Sequence, residues 1–225
     1  MLQEITDGLW ECENRLRFLG LPLLARTTVI QLGDGGVFVH SPSRLTPELQ
    51  EAVTALGPVR GVVAPNRFHH LFIGEWRDAF PDAHVAIAPG LPSKRKDLAD
   101  LPLLGNESPD IWSDDLDQHV IEGIPTMGEV VFLHRASRTL ITTDLAFNIR
   151  EEPSWFARTV WRMMNGYGKF GPTRLERLLT RDRAGLRQSL ETILDWDFER
   201  VVVGHGEVLA SGGKDGLRQG YSWAL

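Results

Sequence analysis

The stretch VVAPNRFHHLFIGEW (residues 62–76) joins a β-branched run to a Pro-Asn turn, two adjacent histidines and an apolar segment. Paired histidines just past a strand either hold a metal or stand as polar residues at the mouth of a helix. The surrounding pattern decides between the two.

Working outward, RGVVAP (60–65) reads as a short buried strand, GEWRDAF (74–80) as helix and HVAIAP (84–89) as another strand. Upstream, TPELQEAVTAL (46–56) starts a helix with Thr46 as N-cap and Pro47 in the first helical position. RTTVIQL (26–32) and VFVHSP (37–42) flank GDGG, a hairpin turn. Residues 90–112 hold three prolines and many polar residues and read mostly as connection. The second half opens on another hairpin, GEVVFLHR (128–135) with RTLITTD (138–144). Helices at 154–165, 173–180 and 183–195 follow, then the strand RVVVG (200–204). Two hairpin-led halves predict sheet packed on sheet with helices outside, in a single domain spanning 1–225. The expected strands are 26–32, 37–41, 60–64, 84–88, 129–134, 138–143 and 200–204.

Net charge is −6 with 42% hydrophobic residues, the profile of an ordinary globular protein and not of a general nucleic-acid binder. Residues 150–187 depart from it, with nine Arg/Lys against four Asp/Glu. That surface is either a solvated helical face or an attractor of anions. Cys12 is the only cysteine, which excludes an intrachain disulfide and fits a reducing cytoplasm. No apolar run approaches the ~20 residues that span a bilayer, and MLQEITDGLW lacks the features of a signal peptide. A soluble cytoplasmic protein acting on a small molecule, with neither nucleic-acid nor membrane partners, is expected.

Several polar residues share one setting, each just past an apolar strand: His69 and His70, then Asp144 of TLITTD, then His205 of VVVGHG. In layered α/β architectures such positions converge on a common cleft. Imidazole and carboxylate ligands suit zinc, iron or manganese. Singly, a histidine after a strand is more often a hydrogen-bonded structural residue, and GHG is equally a tight turn. The conjunction favours a site.

VFVHSP, the strand before the paired histidines, GEVVFLHRASRTLITTDLAF and RVVVGHGEVL together resemble the metallo-β-lactamase fold superfamily. More narrowly, the chain is similar to the branch called domain of unknown function 4336, over roughly residues 8–210. The resemblance implies an α/β fold of four layers, an αββα sandwich with a metal cleft at one edge of its sheets. The superfamily motif H-x-H-x-D-H ends on His69-His70, so its earlier histidines fall on Pro65 and Arg67, or on Asn66 with a one-residue shift. Its G-H-T histidine falls near 122–129, where none exists, and the Asp of its first hairpin motif is replaced by His40. Its bridging Asp matches Asp144 and its last histidine His205.

The resemblance therefore implies one divalent metal ion, zinc first, with iron or manganese also fitting. The ligands are His70, Asp144 and His205, with His69 as a fourth. Arg67, a permanent cation, stands where a second metal would bind and is expected to assist Asp144 catalytically by holding an anionic substrate or developing oxyanion. The implied activity is hydrolysis of a small ester, thioester or phosphoester. Alternatives are a non-catalytic metal-binding or interaction protein and a mononuclear iron enzyme using oxygen. His134 reads as core or as a donor to Asp144; His84 and His119 read as surface; Trp76 reads as core. The helical, aromatic and basic insertion at about 151–181 fits a lid, a homodimer interface or a core helix.

Overall fold

The computed structural model describes residues 2–18, 21–152 and 154–225. Strands β1 (Gln3–Thr6), β2 (Leu9–Phe18), β3 (Leu21–Gln31) and β4 (Val37–His40) run as an antiparallel meander. Helix α1 (Pro47–Leu56) returns the chain to β5 (Val59–Ala64), and α2 (Ile73–Ala79) to β6 (His84–Ile87), both strands parallel to β4. These six strands form one sheet in sequence order. Short helix α3 (Leu91–Lys94) and a 3-10 turn (Lys96–Leu98) lie in the proline-rich connection.

The second sheet contains β7 (Leu116–Val120), β8 (Val130–His134) and β9 (Thr139–Ile141). A two-residue strand β10 (Phe147–Asn148) then leads to helices α4 (Trp155–Met163), α5 (Arg174–Leu179) and α6 (Arg183–Asp195). Strand β11 (Arg200–Val202) completes that sheet in the order β11-β9-β8-β7, while β12 (His205–Gly206) pairs in parallel with β10. Helix α7 (Gly213–Gly220) follows. No described helix is long and apolar enough to cross a membrane.

Alternation along the central strands produces the layers, because successive side chains leave a strand on opposite faces. Phe38, Val63, Phe132 and Ile141 meet between the sheets, with Trp112 among them. Their neighbours Val39 and Val62 face outward onto Leu49, Val53 and Trp76 of the first helical layer. On the other side Val131, Leu133 and Leu140 pack against Leu186, Leu190 and Ile193 of α6 and Leu217 of α7. The result is helix, sheet, sheet, helix, the αββα sandwich expected from the sequence.

The local chemistry agrees with this plan. Thr46 accepts from the Leu49 N–H at the start of α1, as its N-cap position predicts. Thr46→Ala is expected to lower stability by about 1 kcal/mol, read as a shift of the urea midpoint with unchanged slope. Strands β1, β2 and β7 and helix α7 were not anticipated from the sequence. The pattern of β2 alternates Glu11, Glu13 and Arg15 with Cys12, Asn14 and Leu16, so it shows no apolar run.

Candidate metal centre

His69, Asp144 and His205 come together at the ends of β5, β9 and β11. One ligand atom from each lies within 4.8 Å of the others, which makes the group a candidate metal centre. The two Nε2 atoms are 3.1 Å apart. Asp144 places Oδ1 3.2 Å from His205 Nε2 and Oδ2 3.5 Å from His69 Nε2. Two nitrogens sharing a tetrahedral zinc stand about 3.3 Å apart, so the donor set fits one ion.

Each histidine is oriented through its other nitrogen. His205 Nδ1 lies 2.6 Å from the Leu24 carbonyl, which can only accept, so Nδ1 donates there and Nε2 is the nitrogen turned toward the cluster. His69 Nδ1 meets Ser41 Oγ at 2.7 Å. Such outer partners fix ring orientation in metal sites. Phe147 stacks on His205 with centroids 5.3 Å apart and closes its other face.

The loop carrying His205 is held by Arg26. This buried guanidinium donates to the carbonyls of Val203 (2.6 Å) and Gly206 (2.7 Å), and pairs with Glu11 and Glu13. Two glycines permit the approach. A Cβ on Gly204 would lie 3.0 Å from Thr143 Cα and 3.1 Å from His69 Cε1, and Gly206 has φ 96°. An L side chain at either position would force the site apart or strain the backbone.

Beneath Asp144 lies a buried polar network. Asn66 donates through Nδ2 to Asp144 Oδ2 (2.6 Å) and Thr143 Oγ1 (2.9 Å), and its Oδ1 accepts the N–H groups of Phe68 and His69. Those two N–H groups fix the amide orientation, and the same turn aims His69 at Asp144. Glu129 accepts the N–H groups of Thr143 and Asp144, both at 2.7 Å. Burial, and secondarily the Asp144 charge, push the Glu129 carboxyl up to about 7. Burial pushes Asp144 upward too. There the charge of His69 and hydrogen bonds from both histidines prevail, holding it well below the usual carboxylate range.

His70 departs from the sequence expectation and is not in the cluster. It is buried with Nδ1 3.1 Å from Arg95 Nη1. Burial, then the charges of Lys94 and Arg95, push its pKa down to about 4. The physical reason is the turn: once Asn66 fixes the backbone at Phe68 and His69, the next side chain leaves in another direction.

Arg67 departs as well. Its guanidinium donates to the Pro125 carbonyl (3.1 Å) and Ser93 Oγ (3.4 Å), and its stem packs on Gly90 and Gly128. It is not among the residues lining the adjoining cavity. The expected charge donor thus braces two loops.

His134 bonds Ser137 Oγ (2.8 Å) and not Asp144; Glu129 and Asn66 take that supporting role. Burial, then the charge of His69, lower His40 to about 3, and its Nε2 has no partner among the described residues. His84 and His119 are half-buried against Trp112 and Trp196, away from the cluster.

A cavity of about 570 Å³ opens above the cluster, walled in part by α4 and α5. Glu176 lines it and closes a capping box with Thr173 at the start of α5. Burial pushes its carboxyl up to about 7. A carboxyl whose folded pKa is raised stabilises the fold below its unfolded value near 4.5, and that contribution is lost as pH rises through 7. Stability should therefore fall by a few kcal/mol more between pH 4.5 and 8 in wild type than in Glu176→Gln, measured by urea denaturation.

A search of the curated proteins finds no match. Among solved structures, the metallo-β-lactamase DIM-1, in a crystal structure of the protein exposed to ceftazidime, superimposes with TM-score 0.67 at 15% identity, covering 100% of this chain and 97% of that one. The metal-soaked Flv1 flavodiiron core from Synechocystis sp. PCC6803 gives 0.69 at 15% identity, with 100% and 60% covered. The metallo-β-lactamase FIM-1 from Pseudomonas aeruginosa, in its mono-zinc form, gives 0.67 at 10% identity, with 100% and 96% covered. The family model described as "Domain of unknown function (DUF4336)" matches residues 6–167, which include His69 and Asp144 but not His205, so the chain belongs to that family, and it has the metallo-β-lactamase fold.

Proposed function

We propose that this protein is a metal-dependent hydrolase of a small ester, thioester or phosphoester. One divalent ion, zinc in the first instance, would be held by His69, Asp144 and His205. The observation that carries this reading is the convergence of two Nε2 atoms and a carboxylate, each fixed from behind, on the floor of a substrate-sized cavity. FIM-1, a mono-zinc form of a protein named for β-lactam hydrolysis, supports one ion on this fold.

Bound there, a divalent ion supplies Lewis-acid polarisation of the scissile carbonyl or phosphoryl group. The chain's own residues do the rest. Asn66 and Glu129 hold Asp144 in place, and the Leu24 carbonyl keeps the His205 proton on Nδ1. The walls of the cavity shield the reacting group from bulk water. Three protein ligands leave a position open to the substrate, as in catalytic rather than structural zinc sites. Arg67, braced on Pro125 and Ser93, has no part in this reading.

The test is turnover of ester, thioester and phosphoester panels by metal-loaded wild type and Asp144→Ala. Hydrolysis at least ~100-fold faster with wild type is expected. Equal rates would leave a non-catalytic metal-binding protein as the reading. Two histidines and one carboxylate also form the ligand set of non-haem iron centres. Iron in the purified protein, with oxygen consumption that Asp144→Ala abolishes, would replace the hydrolase reading by an oxygen-using one.

A further inference from the structure

The cavity above the cluster has a character of its own. Its floor is polar, but four separate segments supply apolar walls. The β2–β3 hairpin contributes Leu16, Leu23 and Ala25; the turn after β5 contributes Phe68, Leu71 and Phe72. Helix α4 adds Val160, Trp161 and Met164, while α5 adds Leu175 and Leu179. Phe68 and Leu71 are also exposed large apolar residues. Apolar side chains left facing a cavity mark a surface that an apolar ligand covers favourably.

Charge points the same way. Among the described lining residues the sole Arg or Lys is Arg26, and two carboxylates with two carbonyls already engage it. Asp144 and Glu176 line the same space. The walls hold no Lys or Arg free to pair with a phosphate or carboxylate on the substrate, and placing one there without a counter-charge is costly. The basic character of residues 150–187 does not reach the interior: of their nine Arg/Lys, none lines the cavity.

We infer that the cavity takes a neutral carboxylic ester with an apolar acyl chain, the chain lying between the β2–β3 hairpin and helices α4 and α5 and the ester group at the His69–Asp144–His205 cluster. The reaction rests on the hydrolase reading above; the ligand class rests on the walls alone. Hydrolysis breaks the acyl C–O bond and adds water across it, the oxygen going to the acyl carbon and a proton to the departing alcohol. Water is the only co-reactant.

The experiment has two arms, turnover and binding. In the first, metal-loaded protein is given p-nitrophenyl esters from acetate to octanoate. The value of kcat/KM should rise roughly threefold per added methylene, and the p-nitrophenyl succinate half-ester should fall at least about tenfold below the butyrate. In the second, the neutral fluorophore N-phenyl-1-naphthylamine is titrated into wild type, Leu175→Asp, Met164→Glu and Leu178→Asp. Each variant is checked for fold by circular dichroism. Wild type and the exposed-site variant Leu178→Asp should bind it alike. The two wall variants, which put charge in the cavity independently of each other, should bind at least about tenfold more weakly.

Binding with this pattern but no ester turnover would support the ligand class and remove the hydrolase reading. Turnover without chain-length dependence, or with preference for the anionic half-ester, would overturn the inference and leave the hydrolase reading standing. Failure of folded wild type to bind the probe would overturn it too.

Discussion

Asp144→Ala is expected to lose metal affinity by at least ~100-fold and to show no metal-dependent turnover, while His84→Ala keeps both. Asp144 reaches both histidine Nε2 atoms, through a different oxygen for each. Removing it leaves two imidazoles 3.1 Å apart with no anion between them, and two neutral ligands hold a divalent ion poorly. Loss of an outer partner alone typically costs 10–100-fold in affinity, and loss of a ligand more. His84 packs on the edge of Trp112 and belongs to no candidate ligand group among the described residues. Equilibrium zinc titration against a chelator measures the ratio directly. An Asp144→Ala protein with wild-type affinity would exclude this carboxylate as a ligand.

Trp76→Ala is expected to have the larger effect on stability, about 3–5 kcal/mol. The indole is fully buried between α2 and the first sheet, and its Nε1 donates to the Ser43 carbonyl at 2.7 Å. Truncation removes the ring from the core and strips a buried carbonyl of its donor. Ser43 lines the cavity, so turnover should fall along with stability. Trp155, 71% exposed at the start of α4, is the control. Its replacement by alanine should change stability by less than ~0.5 kcal/mol. Urea denaturation decides, and a wild-type midpoint for Trp76→Ala would contradict this packing.

The layers were legible because the central strands announce themselves. VVFL and GVVA are apolar on both faces, as strands buried between a sheet and a helical layer must be. Strand β2 was hidden because its acidic residues are neutralised by a side chain on the next strand. Glu11 and Glu13 pair with Arg26 across the hairpin, and Arg26 in turn holds the loop of His205, some 177 residues on. No local pattern encodes that pairing.

The candidate site was legible in part for the same reason. Strand ends lie on one side of a sheet, so His69, Asp144 and His205 could be brought together from position alone. Which of two adjacent histidines faces the cleft is set by a turn, and the turn by the Asn66 side chain. The fate of Arg67 depends on the shape of the loops at Gly90, Pro125 and Gly128. Residue type showed that it could not be a ligand. Only the folded loops show that it is turned away from the cavity.

The central claim is that His69, and not His70, completes the metal centre with Asp144 and His205. Elemental analysis of wild type, His69→Ala and His70→Ala, loaded with zinc and then dialysed, tests it most directly. About one zinc per chain is expected in wild type and in His70→Ala, and almost none in His69→Ala. Zinc lost from His70→Ala but kept by His69→Ala would contradict the claim.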